Sequence, residues 1–406
     1  MSADDTPSGR RVALREDVRL SGPRYRGPKT VRIVHDAASG RCYELGAKEA
    51  FLAEQLRAPA DHASVEPGFV QAFGRPLSPA GWGRFLGLLQ ARGLLVATDG
   101  LPASTATSAE PAAVRTSDLR AGRWVVAPVS ELVARLHRHL RLLFSPWAVG
   151  LSGLLAGAML FWLARIVGTD RQALNPLTDW RVAVGVGVLS WVSLSLHELG
   201  HGLAAHHLGG RATEVGVLFR PPVVYLYCRV EGGAYLTSRL AQVAVALAGV
   251  WVNLVVLLPF WAWWALDPDP GRRRIIVAGM VVGAAAGLVN LVPVPPADGY
   301  TALSAALGQP DLARDSNACV VATARALVRA DRTAYPARRR AVYLAYAIVR
   351  ALIAIAVVGA IVWYCLRILP PAAGTATLAC ALAFILTVSV IRIAGTRTEA
   401  PSKGTS

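Results

Sequence analysis

The chain has 406 residues, of which 54% are hydrophobic and only 17% charged. Soluble domains carry about a quarter charged residues, so this composition excludes an ordinary soluble protein and points to a bilayer. The formal net charge of +16 does not point to nucleic acid, because much of the arginine flanks apolar stretches and Lys29, Lys48 and Lys403 are the only lysines, a bias expected of GC-rich coding.

Residues 1–36 are polar, basic and punctuated by Pro and Gly, so no signal peptide is expected there, and 1–27 reads as a disordered N-terminus. Residues 28–97 read as a small soluble α+β domain. Its predicted strands are 30–35 and 41–45, around Ala38-Ser39-Gly40, its helices are 48–56 and 79–91, and Gly93-Leu94-Leu95-Val96 closes it. Residues 98–118 are rich in Pro, Ala, Ser and Thr without periodicity and read as a linker. Within 119–145, residues 131–144 form an amphipathic helix carrying Arg135, His137, Arg138, His139 and Arg141, suited to an inner membrane face.

Six apolar segments follow, near 146–164, 182–205, 240–266, 275–292, 351–369 and 375–394, each close to the roughly 20 residues of a spanning helix. The expected fold class is therefore mainly α: a polytopic membrane bundle of about six spans, with a core at 146–310, a C-terminal region at 311–396 holding two further spans, and a tail at 397–406. With the N-terminus inside, only seven of the 42 basic residues fall outside, although Arg272, Arg273 and Arg274 cluster there; both termini are predicted cytoplasmic. The five cysteines (Cys42, Cys228, Cys319, Cys365, Cys380) form no CxxC pair, so neither a disulfide framework nor a cysteine-rich zinc site is expected.

The second apolar segment contains His197-Glu198-Leu199-Gly200-His201, an HExxH. On a helix, positions i and i+4 share a face, so two imidazoles reach one tetrahedral zinc while Glu198 stands beside them as base for a metal-activated water. Ionisable residues inside an apolar helix are expensive unless they act together, which favours a site over a chance match. Zinc needs a third protein ligand, for which His206, His207, Glu214 and Asp298 are candidates. HExxHxxGxxH would require Gly at 204, where Ala stands, so His207 is disfavoured. Asp298 follows three prolines that break the fourth apolar segment, and irregular backbone at membrane depth belongs to a protein-lined cavity. The second and fourth segments also run in the same direction, which brings His201 and Asp298 to one depth.

HELGH at 197–201, AGVWVN at 248–253 and NLVPVPPADG at 290–299 together resemble the site-2 protease family of intramembrane zinc metallopeptidases, over roughly residues 145–310. The resemblance implies Zn2+ as cofactor, His197, His201 and Asp298 as its ligands, Glu198 as catalytic base, and Asn253 and Asn290 near bound substrate. The small residue and proline that usually follow Ala-Gly are Val250 and Trp251 here. Asp298-Gly299-Tyr300 and residues 219–225 are similar to the bacterial peptide zinc metalloprotease branch. The N-terminal domain resembles a PqqD-type winged helix, a fold that binds leader peptides of ribosomally made natural products.

The expected function is a zinc metalloendopeptidase of a bacterial inner membrane that removes the leader of a precursor peptide. Regulated cleavage of a transmembrane signalling protein is the alternative within enzymes, and a non-proteolytic receptor or exporter subunit the alternative from another class. The expected partners are a precursor peptide or membrane-protein substrate and the lipid bilayer. No nucleic acid is expected, since no predicted helix carries a basic cluster on one face. Residues 215–230 are β-prone and are expected to form a small sheet.

Overall fold

The computed structural model describes residues 11–36, 42–97, 123–170, 173–220, 223–231, 238–329 and 335–368. The N-terminal unit runs β1 (Val12–Leu14), β2 (Val18–Leu20), β3 (Arg24–Arg26), β4 (Lys29–Asp36), β5 (Cys42–Gly46), α1 (Ala47–Gln55), α2 (His62–Phe73), α3 (Pro79–Ala91) and β6 (Leu95–Ala97). β4 is the central strand, with β5 along one side and β2 and β3 along the other, all antiparallel, while β1 and β6 form a separate pair. Val34, Leu45, Leu56, Trp82, Leu89 and Leu94 are its buried core.

Two sequence expectations change here. The unit begins at Val12, because the stretch expected to be disordered supplies three strands, and Val12 and Leu14 are buried in its core. α2 adds a helix between the two expected ones: Asp61 and Ser64 form a capping box, and Val65 and Phe69, four apart, bury one face. The linker expected at 98–118 lies outside the described residues.

The second part begins with β7 (Arg123–Pro128), α4 (Ser130–Leu140) and a single 3-10 turn over Arg141–Phe144. α5 (Pro146–Thr169) and α6 (Trp180–His207) lead to the hairpin β8 (Arg211–Arg220) and β9 (Val223–Glu231). Then come α7 (Arg239–Leu266), α8 (Pro270–Val289), α9 (Asp298–Leu307), α10 (Leu312–Arg329) and α11 (Ala337–Ile368). The strands make an antiparallel sheet in the order β7-β8-β9. The helix starts are written in the sequence: Ser145 caps α5 before Pro146, Ser238 caps α7, and Asp269 caps α8 before Pro270.

Among the described residues, α5, α6, α7 and residues 337–360 of α11 are long and apolar enough to cross a membrane. By length and composition these four overlap the first, second, third and fifth of the six expected segments. α8 occupies the fourth expected segment but opens on Arg272, Arg273 and Arg274, which keeps it out of that set. The sixth expected span, 375–394, lies outside the described residues. α5, α7 and α8 pack around Met159, Leu163, Leu257 and Met280. α6 crosses α7 at Gly200, where a Cβ would stand 2.7 Å from Val252 Cγ2.

The N-terminal unit is seated on the helices. Its β3–β4 hairpin, turned at Gly27 (φ 54°), meets four of them. Tyr25 N donates to Gly308 O at the end of α9 (3.0 Å), and Arg24 donates to Gln242 on α7 (2.9 Å). Gly27 N donates to Asp315 Oδ2 on α10 (2.6 Å). Arg339 on α11 donates to Pro28 O and Thr30 Oγ1 and covers the Tyr25 ring at 3.9 Å.

Candidate metal centre

His197 and His201, one turn apart on α6, bring their Nε2 atoms to 3.2 Å of each other. Asp298 enters from the first turn of α9. Between α8 and α9 the chain leaves helical geometry, and Gly299 N donates to Asn290 O (2.7 Å) to fold this stretch back on itself. A Cβ at Gly299 would fall 2.0 Å from Leu291 O, so the residue after Asp298 must be glycine. Asp298 Oδ2 then lies 2.8 Å from His197 Nε2, and Oδ1 3.4 Å from His201 Nε2. The three ligand atoms lie within 4.8 Å of one another and form the one such group among the described residues.

These separations fit zinc. Metal–ligand bonds of about 2.0–2.1 Å in a tetrahedron hold donor atoms about 3.3 Å apart. Asp298 Oδ2 is buried without a hydrogen bond despite its closeness to His197, an orphaned acceptor that a cation satisfies. The tautomer agrees. His201 Nδ1 donates to Val245 O (2.8 Å), which leaves Nε2 with its lone pair facing the centre. The amide of Asn253 lies 3.0 Å from His197 Nδ1 and also accepts from Ser193 Oγ (3.1 Å). Turning that amide over puts its oxygen on Nδ1–H, the arrangement a metal on Nε2 requires.

Glu198, the next residue on α6, points to the sheet, where Cys228 N on β9 donates to its Oε2 (2.8 Å). The sheet sits close because Gly202 leaves room; a Cβ there would meet Ala212 and Cys228 Sγ at 3.1 and 3.2 Å. Of the other candidates, His206 and His207 belong to a separate cluster. His207 stacks on Phe144 (ring centroids 5.0 Å apart) and meets His137 at 3.0 Å. Glu214 lies on β8, outside the metal group. Asn290 enters through its backbone carbonyl.

The sequence reading missed Gly249. Its backbone passes against both imidazoles, and a Cβ would lie 2.5 Å from His197 Nε2 and 2.6 Å from His201 Nε2. The signal was a glycine in the middle of an apolar helix, which usually has a packing reason. Trp251, which departs from the family pattern, ties α7 to α5 by donating to Ser152 Oγ (3.0 Å).

Two curated proteins, from the Erdman and H37Rv strains of Mycobacterium tuberculosis, match this chain, each under the name "Putative zinc metalloprotease Rip2". Each is 31% identical over 187 residues, which take in 39% of this chain and 69% of the relative. No family model matches the chain, and no solved structure does.

Proposed function

We propose, from the premise that this chain belongs to the site-2 protease family of zinc metalloproteases, that it is a membrane-embedded endopeptidase whose zinc is held by His197, His201 and Asp298. The observation that carries this reading is the convergence of three ligand atoms within 4.8 Å, with Glu198 beside them on the same helix. Bound zinc would lower the pKa of a water to about 7 and polarise a carbonyl.

The rest falls to the chain's own groups. Glu198 is the general base: the Cys228 amide occupies its Oε2, so Oε1 takes the proton of the attacking water and later gives it to the leaving amine. Val245 O and Asn253 hold the two imidazoles in the orientation that keeps both Nε2 atoms on the metal. Hydrolysis at this depth needs an extended peptide, and we assign as substrate a precursor whose leader is removed, with the N-terminal unit as the leader-binding, PqqD-like part. The seating of that unit on the ends of α7 and α9, the helices carrying Asn253 and Asp298, supports a role close to the site. The reading places the protein in a bacterial inner membrane with both termini inside.

Glu198→Gln keeps every ligand. Purified Glu198→Gln should hold about one zinc per chain, by elemental analysis, while peptide hydrolysis by its membranes, followed by mass spectrometry of a co-encoded precursor, falls at least 10²–10⁴-fold. Cleavage at the normal rate would remove Glu198 from the chemistry.

A further inference from the structure

The loop that delivers Asp298 has a second face. Val294 and Pro295 form one wall of a groove of about 900 Å³, whose other walls are α10 and α11. Arg314, Asn317 and Arg325 of α10 and Arg350 of α11 line it, and among the described residues no carboxylate does. The acids nearest in sequence are already engaged: Asp311 pairs with Arg26 (2.7 Å), and Asp315 accepts from Gly27 N. Arg350 contacts the neutral Asn317 and the Tyr346 ring, so among the described residues none of the three guanidinium groups has an acidic partner. Three like charges around one concavity repel each other unless something negative enters it.

We propose that this groove binds an acidic segment of the substrate peptide, on the reading that the metal centre hydrolyses peptides. Position favours a peptide over lipid headgroups: Pro295, in the groove wall, precedes Asp298 by three residues, a chain distance of at most about 11 Å. An extended substrate advances about 3.3 Å per residue, so a segment only a few residues from the scissile bond comes level with the groove.

The test is binding to the full zinc-loaded chain in a neutral detergent, independent of hydrolysis. The probes are a fluorescein-labelled eight-residue peptide alternating Glu and Ala and its Gln counterpart, read by anisotropy. The Glu peptide should bind at least tenfold more tightly. Arg314→Gln, Arg325→Gln and Arg350→Gln combined should abolish the difference with zinc content unchanged. Arg325→Glu should shift preference toward a Lys-Ala peptide, which a merely misfolded variant would not do. Equal binding of the Glu and Gln peptides overturns the proposal. So does a triple variant that binds the Glu peptide normally but, in the same detergent, no longer binds a fluorescent short-chain phosphatidylglycerol, which would make the groove a headgroup site. Failure of the Glu198→Gln test would leave these binding results standing and remove only the hydrolysis.

Discussion

The metal centre and the seam under the N-terminal unit both join distant parts of the chain through polar groups, but they are built in opposite ways. At the metal centre, backbone comes against its neighbours with no space between them: Gly249 against two imidazole side chains, Gly299 against the Leu291 backbone carbonyl. At the seam, long side chains reach across, Arg24 to Gln242 and Arg339 to Pro28 and Thr30, around a buried glycine, Gly27, whose N–H donates to Asp315 and whose carbonyl accepts from Tyr343. Close backbone approach cannot be adjusted, whereas flexible arginines can re-form their contacts. Substitutions should therefore act nearly all-or-none at the first region and by degrees at the second.

The largest effect should be Asp298→Ala. It removes one of the three proposed ligands, so bound zinc should fall from about one per chain to near zero, and activity with it. His207→Ala, outside the metal group, should keep its zinc. Full occupancy in Asp298→Ala would sink the ligand set.

Next comes Gly249→Ala, which tests whether space alone governs this region. It touches no ligand bond, yet its methyl would need the volume of both Nε2 atoms, and zinc affinity should drop on the order of 10–100-fold, the usual cost of disturbing the groups that orient ligands. Gly279→Ala, whose Cβ would meet only Val186 Cγ2 at 3.6 Å, should change nothing measurable. Equal zinc affinity in the two variants would mean that the α6–α7 crossing is softer than its contacts imply.

The two regions also differ in how far the sequence reveals them. His197 and His201 declare themselves because one helix face carries both, and Asp298 because three prolines expose a break before it. The capped helices α3 and α5 are legible for the same reason: Ser before Pro marks a start without knowledge of anything distant. The seam had no such signal. Gly27 and Asp315 are 288 residues apart, and an arginine in a polar stretch reads as solvated until its partner is known. Residues 12–26 looked disordered because strands of three residues are too short to show alternation. α8 read as a span from its apolar stretch, and the three arginines of its first turn fell just outside the segment.

At the seam, Asp315→Ala should have an intermediate effect. It strands the buried Gly27 N–H, a cost of about 1–3 kcal/mol, so hydrogen exchange at the neighbouring Tyr25 amide should speed up roughly 5- to 150-fold. Asp315→Asn keeps an acceptor and should cost little. Burial pushes the Asp315 carboxyl above its usual range, against the Gly27 hydrogen bond that lowers it. A raised pKa in the seated state means that this group's contribution is fully present at low pH and is lost as pH rises through that value. Protection at Tyr25, corrected for intrinsic exchange, should decline over that interval in the wild type and not in Asp315→Asn.

The smallest effect should be Arg26→Ala, although by count it removes the most ion pairs. Arg26 bridges Glu44 of its own unit to Asp311, the residue just before α10, and both pairs are more than a third exposed. Exposed pairs of this kind contribute about 0.2–1 kcal/mol, since water screens them and ordering two long side chains costs entropy. Exchange at Tyr25 should therefore quicken by no more than about fivefold, and the difference should shrink as salt rises from 0.05 to 0.5 M in order-of-magnitude terms, from a screening length of roughly 14 Å to roughly 4 Å. The loss from Asp315→Ala should persist at high salt, because a stranded buried amide is not a screened charge. An Arg26→Ala effect equal to that of Asp315→Ala, and insensitive to salt, would show that the seam is held by its rim and not by the Gly27–Asp315 contact buried beneath it.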